Sequence, residues 1–215
     1  MNHFSHTRIS TYKQCGLRYK FKYVDHKDAS FDNTIEAFMG DLVHRTLEKL
    51  YTDLKYEKKN DVEDLISHYN ELWGDEWTED VLVVKDEYDA NNYKDQGERM
   101  IREYYESYHP FDHNTIGIET QHRYQLTDEH DVSVRIDRLD NPEQGVYEIH
   151  DYKTSNHFPT QEEAEEDAQL ATYALGVKDM FPDAEQIKLI WHYLAFDKEV
   201  VVEKSWEELD IIEEQ

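Results

Sequence analysis

Residues 134–154 read VRIDRLDNPEQGVYEIHDYKT, and this stretch decides the fold class. Apolar positions recur in 132–139 and again in 146–152, with turn-forming residues at Asn141-Pro142 and Gly145 between the two segments. Short β-rich segments separated by such turn residues are typical of a β-hairpin. The stretch therefore predicts two neighbouring antiparallel strands with the turn centred near Glu143 or Gln144.

The rest of the chain predicts helices before this hairpin and both helices and strands around it. Ser10 is a predicted N-cap for a first short helix. Helical periodicity and strand-like alternation predict helices at 34–52, 61–77, 87–108 and 162–181, and strands at 116–126, 187–196 and 200–202. This order predicts an α/β fold, with a small mixed central β-sheet flanked by helices. We expect a single domain over 1–215, mainly helical in 1–110, with the sheet and catalytic core in 111–215.

Composition restricts the class of protein. No segment approaches the roughly 18 consecutive apolar residues of a membrane helix, so no membrane partner is expected. Residues 1–10 are polar and carry no apolar signal core. Cys15 is the single cysteine, which excludes an internal disulfide. These features predict a cytoplasmic protein.

Charge divides the chain into two unequal parts. The whole sequence has 23 Lys and Arg against 49 Asp and Glu, a net charge of −26, which opposes binding to phosphate backbones. Residues 8–27 instead carry six cations and one anion, Asp25, interleaved with aromatic residues. Such a segment suits a nucleic-acid strand. The alternative is an amphipathic helix with a solvated basic face.

The hairpin also carries a constellation of charged side chains. Side chains two apart on a strand share a face, so Asp151 and Lys153 point the same way. In the predicted hairpin Asp137 falls opposite residues 149–151. Two carboxylates bind a hard cation such as Mg²⁺ or Mn²⁺, and a neighbouring lysine can orient a water molecule. The alternative is an ordinary cross-strand ion pair.

Taken in chain order, five short motifs resemble those of the PD-(D/E)XK nuclease superfamily, and more closely those of its RecB-like branch. That branch includes the RecB and AddB nuclease domains and CRISPR adaptation nucleases. The motifs are STYKQCGLRYKFKY at 10–23, GDLVH at 40–44, IDR at 136–138, DYK at 151–153 and QLATY at 169–173.

The resemblance implies a restriction-endonuclease-like fold and a metal-dependent DNA nuclease, with exonuclease as the expected activity. It implies that His44, Asp137 and Asp151 bind Mg²⁺ or Mn²⁺, with help from the Tyr152 backbone carbonyl. Glu119, on the first strand, is a further candidate ligand.

The resemblance also assigns the groups beside the metal. Lys153 positions the attacking water or stabilises charge on the phosphate, and Gln169 and Tyr173 support the lysine or contact the phosphate backbone. Routine helix packing is the alternative for Gln169 and Tyr173. Single-stranded DNA or DNA ends are the expected substrate, with a helicase or CRISPR adaptation protein as partner.

Two positions depart from the family pattern. Arg135 stands where a small residue is common, which narrows the expected cleft. Cys15 matches the first ligand of the iron–sulfur cluster that several RecB-like nucleases hold, but three later cysteines are missing, so no iron–sulfur cluster is expected in these 215 residues. His122, His150 and His192 show no metal-ligand spacing and are interpreted as structural.

Two other functions are compatible with the sequence. The first is a non-catalytic nuclease-like module that binds DNA or a protein partner, which the charge of −26 favours. The second is an acidic protein that imitates DNA.

Overall fold

A computed structural model describes residues 2–27, 33–84, 87–160, 163–164 and 168–204. The described residues form a mixed α/β fold, with a central sheet flanked by helices. In chain order the elements are β1 (Asn2–Ser5), α1 (His6–Gln14), α2 (Gly16–Tyr19), a π-helical turn (Lys20–Val24), β2 (Asn33–Thr34), α3 (Ile35–Lys55), α4 (Val62–Glu76), β3 (Val81–Leu82), α5 (Ala90–Tyr108), β4 (Thr115–Thr127), β5 (His130–Glu143), β6 (Val146–Lys153), α6 (Ala168–Met180), β7 (Gln186–Tyr193), a 3₁₀ turn (Leu194–Phe196) and β8 (Lys198–Lys204).

The main sheet has six strands in the order β1-β5-β6-β7-β8, and β4 pairs with β5. Strand β5 is antiparallel to both β4 and β6, β6 is parallel to β7, and β7 is antiparallel to β8. The predicted mixed central sheet is confirmed, and the predicted strand at 200–202 lies within β8, which pairs with β7. The short parallel strand β1 beside β5 was not predicted from the sequence.

The two faces of the sheet pack against different helices. Helices α3, α4 and α5 form one apolar cluster, which Tyr152 of β6 joins from the sheet. Apolar side chains of β5, β6 and β7 form a second cluster with α6, including Ile149 and Val177. The alternation of side chains along β6 explains this division, because Tyr152 and Ile149 fall on opposite faces.

Capping residues explain where several helices begin. Asp61 and Asp89 each form a capping box at the start of α4 and α5, which fixes these starts close to the predicted ones. The prediction for the first helix is wrong: the N-cap of α1 is Ser5, whose hydroxyl accepts from the Arg8 N–H, and Ser10 lies inside the helix. Ser5 and Ser10 are each followed by a short segment that contains several polar residues, so the sequence alone does not show which serine is the N-cap.

The hairpin turn lies two residues later than Asn141-Pro142, which belong to β5 in the structure. The β5–β6 register is irregular between Asp140 and Glu143, which is where a proline is tolerated in a sheet. Gly145, with φ of +78°, makes the turn itself. This backbone conformation favours glycine.

The helix predicted at 162–181 lies only partly within the described residues. Helix α6 accounts for the predicted helix from residue 168 onward, whereas 161–162 and 165–167 lie outside the described residues. Among the helices that are described, none is both long enough and apolar enough for a membrane crossing.

Candidate active site

His44 is presented by the middle of α3, whose apolar face fixes the helix against the sheet. One turn earlier, a Cβ atom on Gly40 would lie 2.7 Å from the Thr154 Oγ1 atom. The missing side chain therefore lets α3 approach the segment that follows Lys153. The His44 ring packs edge-on against the Tyr152 ring, with centroids 5.8 Å apart. The middle of α3 and the end of β6 thus meet at this histidine.

Strand β5 changes the face it presents at Asp137. Val134 and Ile136 contribute to the cluster around α6, as alternation requires, but so does Leu139, three residues after Ile136. Opposite Asp137 on β4, Glu119 has a left-handed φ of +46°. This conformation is costly for a residue with a side chain and indicates local strain. Alternation with Ile136 places Asp137 on the side of the sheet that α3 covers, and the kink turns Arg138 to the same side.

Asp137 is the centre of the resulting group. Its Oδ2 atom lies 3.4 Å from His44 Nδ1 and accepts a hydrogen bond of 2.9 Å from the Tyr152 N–H. One donor atom each from His44, Glu119 and Asp137 lie within 4.8 Å of one another. We call these three residues the open cluster, because all three are only partly buried.

Burial raises the pKa of Asp137 to about 6, and the negative charges of Asp151 and Glu119 add to this effect. The His44 imidazole and the Tyr152 N–H act in the opposite direction. A carboxylate held in this way has a strong electrostatic demand for a cation.

Asp151 belongs to a second hydrogen-bonded group on the side of α6. Lys153 Nζ lies 2.5 Å from Asp151 Oδ2 and donates to Gln169 Oε1 at 3.1 Å. The Gln169 amide in turn donates to Asp151 Oδ1 at 2.9 Å and to the Tyr173 hydroxyl at 2.7 Å. The structure thus joins four of the sequence-predicted residues through hydrogen bonds and an ion pair. Tyr152 contributes its backbone N–H to Asp137.

Arg135 does not stand free in the cleft, since its guanidinium pairs with Glu119. The pairing holds the Glu119 carboxylate near Asp137 and partly neutralises it. A cleft of about 450 Å³ adjoins this pair, lined among others by His6, Arg123 and Tyr173.

The donor set fits a divalent metal ion. One imidazole nitrogen and two carboxylates offer hard or borderline ligands of the kind that Mg²⁺ and Mn²⁺ accept. The raised pKa of Asp137 supports this fit, because it indicates that the neighbouring groups of the protein do not fully compensate its negative charge.

Sequence reasoning missed a buried polar network that begins at Arg138, one residue after Asp137 on β5. Arg138 is 1% exposed and donates to the Tyr51 hydroxyl, to the Tyr104 hydroxyl at 2.8 Å and to His150 Nδ1 at 2.8 Å. Its Nε atom lies 3.4 Å from Asp140 Oδ2. The arginine therefore links α3 and α5 to the sheet. The only signal in the sequence was a charged residue within an apolar strand.

Around Arg138 lies a second group with metal-ligand chemistry, namely Asp140, Glu148 and His150, whose donor atoms also lie within 4.8 Å of one another. We call these three residues and Arg138 the filled cluster. Burial and the Arg138 charge lower the pKa of His150 to about 4, although Asp140 opposes the shift. His150 is therefore neutral near pH 7.

The three histidines interpreted as structural from the sequence, namely His122, His150 and His192, have local partners. His192 Nε2 lies 2.8 Å from His150 Nδ1, and burial lowers the pKa of His192 well below its usual range. His122 pairs with Asp179 at 2.6 Å on the surface. The structural roles expected for His122, His150 and His192 stay predictions, and these contacts are compatible with them.

Cations of the basic N-terminal segment pack over aromatic rings of the same segment. The Arg8 guanidinium lies over the Tyr19 and Tyr23 rings at 5.6 and 5.3 Å, and Lys27 lies over Phe21 at 4.6 Å. Tyr12 remains 63% exposed. Both expectations for this segment, a strand-binding surface and a solvated basic face, are compatible with this geometry.

Comparison with known proteins agrees with the fold. A solved structure of a candidate exonuclease from Eubacterium rectale is similar over 97% of this chain and 75% of that chain, with 9% identity and a TM-score of 0.51. A second solved structure, of SSO0001, has 15% identity and a TM-score of 0.35 over 96% of this chain and 81% of that chain. No curated protein sequence matches significantly. The model of the PD-(D/E)XK nuclease superfamily matches residues 3–214. This chain therefore belongs to the PD-(D/E)XK nuclease superfamily.

Proposed function

We propose that this protein is a metal-dependent DNA nuclease that hydrolyses phosphodiester bonds. The observation that carries the proposal is the meeting of His44, Glu119 and Asp137, with donor atoms within 4.8 Å, beside the end of β6 that presents Asp151 and Lys153. The same residue types hold a metal and a reacting phosphate in hydrolytic sites of this kind. We further propose that residues 1–215 act as one nuclease domain.

The proposed metal ligands are His44, Asp137 and Asp151, with Glu119 and the Tyr152 carbonyl as additional oxygen donors. Either Mg²⁺ or Mn²⁺ suits the carboxylates, and the imidazole favours Mn²⁺. When bound, the ion supplies Lewis-acid stabilisation of phosphate charge and lowers the pKa of a coordinated water.

The protein's own groups supply position and charge. Lys153 holds its ammonium beside the Asp151 carboxylate, so it can orient a water molecule and stabilise negative charge on the phosphate. Gln169 fixes both partners, because it accepts from Lys153 and donates to Asp151. The Tyr173 hydroxyl donates to the same carboxylate at 3.4 Å and accepts a hydrogen bond from the Gln169 amide. Together they hold Lys153 in one orientation.

The finer assignments rest on the motif resemblance. We propose exonuclease activity on single-stranded DNA or DNA ends, a RecB-like affiliation, and a helicase or CRISPR adaptation protein as partner. The single cysteine, which is exposed in the structure, supports a reducing cytoplasmic location.

The direct test is release of nucleotides from end-labelled single- and double-stranded DNA in Mg²⁺ or Mn²⁺. We expect the parent protein to release nucleotides, and Asp151→Ala and Lys153→Ala to lose this activity while keeping the parent's circular dichroism spectrum. Tyr56→Ala, at a 77% exposed position beyond the end of α3, is the matched control. Equal cleavage by all four proteins contradicts the assignment.

The net charge of −26 favours a second candidate, a non-catalytic module of the same fold. Such a module binds DNA or a protein without hydrolysis and has no need of a metal. Calorimetric titration with Mn²⁺ separates the two, because a nuclease binds the ion through His44 and Asp137 whereas the module does not. Tight binding of a basic partner without metal binding would instead indicate an acidic protein that imitates DNA.

A further inference from the structure

A cleft of about 530 Å³ lies against the first turns of α5, on the side of the site away from α6. Asn92, Gln96 and Arg99 line it from one face of the helix, as their spacing of four and three residues requires. Tyr88 lines it from the segment before α5, and Asn156 from the segment after β6. Tyr88 is 50% exposed, so one aromatic ring is accessible from solvent.

The cleft continues toward the proposed reaction centre. A smaller cavity of about 280 Å³ shares Gln96 and Asn156 with it and is also lined by Met39 and Thr154. Met39 and Thr154 lie at the Gly40 contact, and Thr154 directly follows Lys153. Three residues span at most about 10 Å of chain, so Asn156 lies close to Lys153. A ligand in the cleft therefore lies within reach of a strand bound at the site.

The cleft offers hydrogen-bonding groups without fixed charge. Gln96 Nε2 donates to Asn156 Oδ1 at 3.2 Å, and within the described residues this leaves the Gln96 oxygen and the Asn156 amino group without protein partners. Asn92 uses its Oδ1 atom in the α5 capping box, where it accepts from the Asp89 N–H. Adjacent amide donors and acceptors match the edges of nucleobases, which carry the same groups side by side.

Charge makes an uncharged contact valuable in this protein. A net charge of −26 repels phosphates, so contacts to the backbone alone give little affinity. Stacking on an aromatic ring and hydrogen bonds to a base do not depend on neutralising phosphate. Within the cleft Arg99 is accompanied by Asp95, and its guanidinium lies 3.9 Å from Glu103, so the cleft offers a phosphate little net positive charge.

We propose that this cleft binds one unpaired nucleobase of a single-stranded substrate, close to the scissile phosphate. The proposal rests on the nuclease function and names its substrate class. The Tyr88 ring stacks on the base, and Gln96 and Asn156 bond its edge. A base inside a duplex is stacked and paired, so the cleft selects single strands and frayed ends.

Binding to an abasic strand tests the proposal separately from hydrolysis. The probes are a fluorescein-labelled single-stranded oligodeoxynucleotide and a strand of equal length in which every base is replaced by an abasic tetrahydrofuran unit. Binding is measured by fluorescence anisotropy in Ca²⁺ with the Lys153→Ala protein, and the variants Tyr88→Ala and Gln96→Ala/Asn156→Ala are added to this background. Tyr56→Ala, which also removes an exposed tyrosine, is the control.

We expect the base-bearing strand to bind at least about tenfold tighter than the abasic strand, the range of one stacked base. Tyr88→Ala and Gln96→Ala/Asn156→Ala should reduce this ratio at least about fivefold without changing abasic binding. Tyr56→Ala should leave the ratio unchanged. If the cleft variants keep the parent ratio, weaken both strands equally, or find no binding to weaken, the proposal is overturned.

Failure of the nuclease function gives a different result. A protein that discriminates base-bearing from abasic strands through Tyr88, yet releases no nucleotides when Lys153 is present, retains the base-binding cleft and lacks the proposed reaction. A protein that cleaves DNA and shows no such discrimination retains the reaction and lacks the cleft's role.

Discussion

The open cluster and the filled cluster lie side by side on β5 and use the same residue types, but they differ in the source of positive charge. In the open cluster the pKa of the Asp137 carboxylate is raised to about 6. In the filled cluster burial acts to raise the pKa of Asp140, but His150, the charge of Arg138 and the hydrogen bond from Thr115 outweigh burial and lower this pKa. The cation of the filled cluster, Arg138, is buried beside the Asp140 carboxylate. In the open cluster Arg135 pairs with Glu119 from an exposed position, and within the described residues Asp137 has no guanidinium ion pair.

Residue type and spacing therefore do not by themselves identify a metal site. Three donor atoms within 4.8 Å occur in both clusters. What distinguishes them is the burial of the guanidinium, because Arg138 lies buried beside Asp140 whereas Arg135 reaches Glu119 from an exposed position. A buried positive charge repels a second cation beside it more strongly than an exposed one does. The contrast makes four predictions, which test compensation in the filled cluster and demand for a metal in the open one.

The largest expected effect comes from removing the built-in cation. Arg138→Met leaves Asp140 buried without its positive partner and breaks the bonds to Tyr51 and Tyr104. We expect the free energy of unfolding to fall by about 3–5 kcal/mol, measured by urea denaturation. Arg102→Met, which removes an exposed pair with Glu63, is the control and should cost at most about 1 kcal/mol. Equal losses of unfolding free energy in the two variants would show that the charge of Arg138 does not stabilise the buried Asp140 carboxylate.

Removing the open cluster's carboxylate should impair activity rather than stability. We expect Asp137→Asn to slow nucleotide release about a thousandfold, a barrier increase of about 4 kcal/mol. Without metal, the variant should be as stable as the parent or more so, because Asn carries no charge to bury. A marked loss of stability with activity intact would reverse the roles assigned to the two clusters.

Stability in chelator should depend on pH in opposite senses at the two clusters. The folded pKa of Asp137, about 6, exceeds the ordinary 3.8, so its contribution to stability rises as pH falls from about 6 to 4. The folded pKa of His150, about 4, lies below the ordinary 6.5, so its contribution falls over a similar range. Each shift corresponds to about 3 kcal/mol.

Denaturation of Asp137→Asn and His150→Gln at pH 7 and pH 4 measures these contributions. On acidification from pH 7 to 4, the parent should gain stability relative to Asp137→Asn and lose stability relative to His150→Gln. If both differences change in the same direction, the clusters do not differ in protonation as described.

The smallest effect is stabilisation by the metal itself. At an Mn²⁺ concentration of about 100 times Kd, binding to the folded state adds about 2.7 kcal/mol to the free energy of unfolding. We expect this increment in the parent and in His150→Gln, and its loss in His44→Ala. Urea denaturation with and without Mn²⁺ gives the increments. An increment that survives in His44→Ala but disappears in His150→Gln would place the ion in the filled cluster.

The sequence by itself determined the fold class and most element positions. Helix α3, predicted at 34–52, occupies Ile35–Lys55, and β6, predicted at 146–152, occupies Val146–Lys153. These predictions succeed because apolar periodicity and local capping and turn residues are properties of short segments. The ordered motifs from Ser10 to Tyr173 indicated the superfamily for the same reason, since four of the five motifs each lie within one element.

Only the tertiary structure decided how the polar groups divide between the clusters. Strict alternation along β5 would place Arg138 on the same face as Val134 and Ile136, but the kink opposite Glu119 turns Arg138 toward α3 and α5. The kink depends on contacts between strands distant in sequence, and burial sets the pKa of Asp137 through neighbours from three elements. Such effects arise from desolvation and charges brought together by folding, which no local pattern of residues encodes.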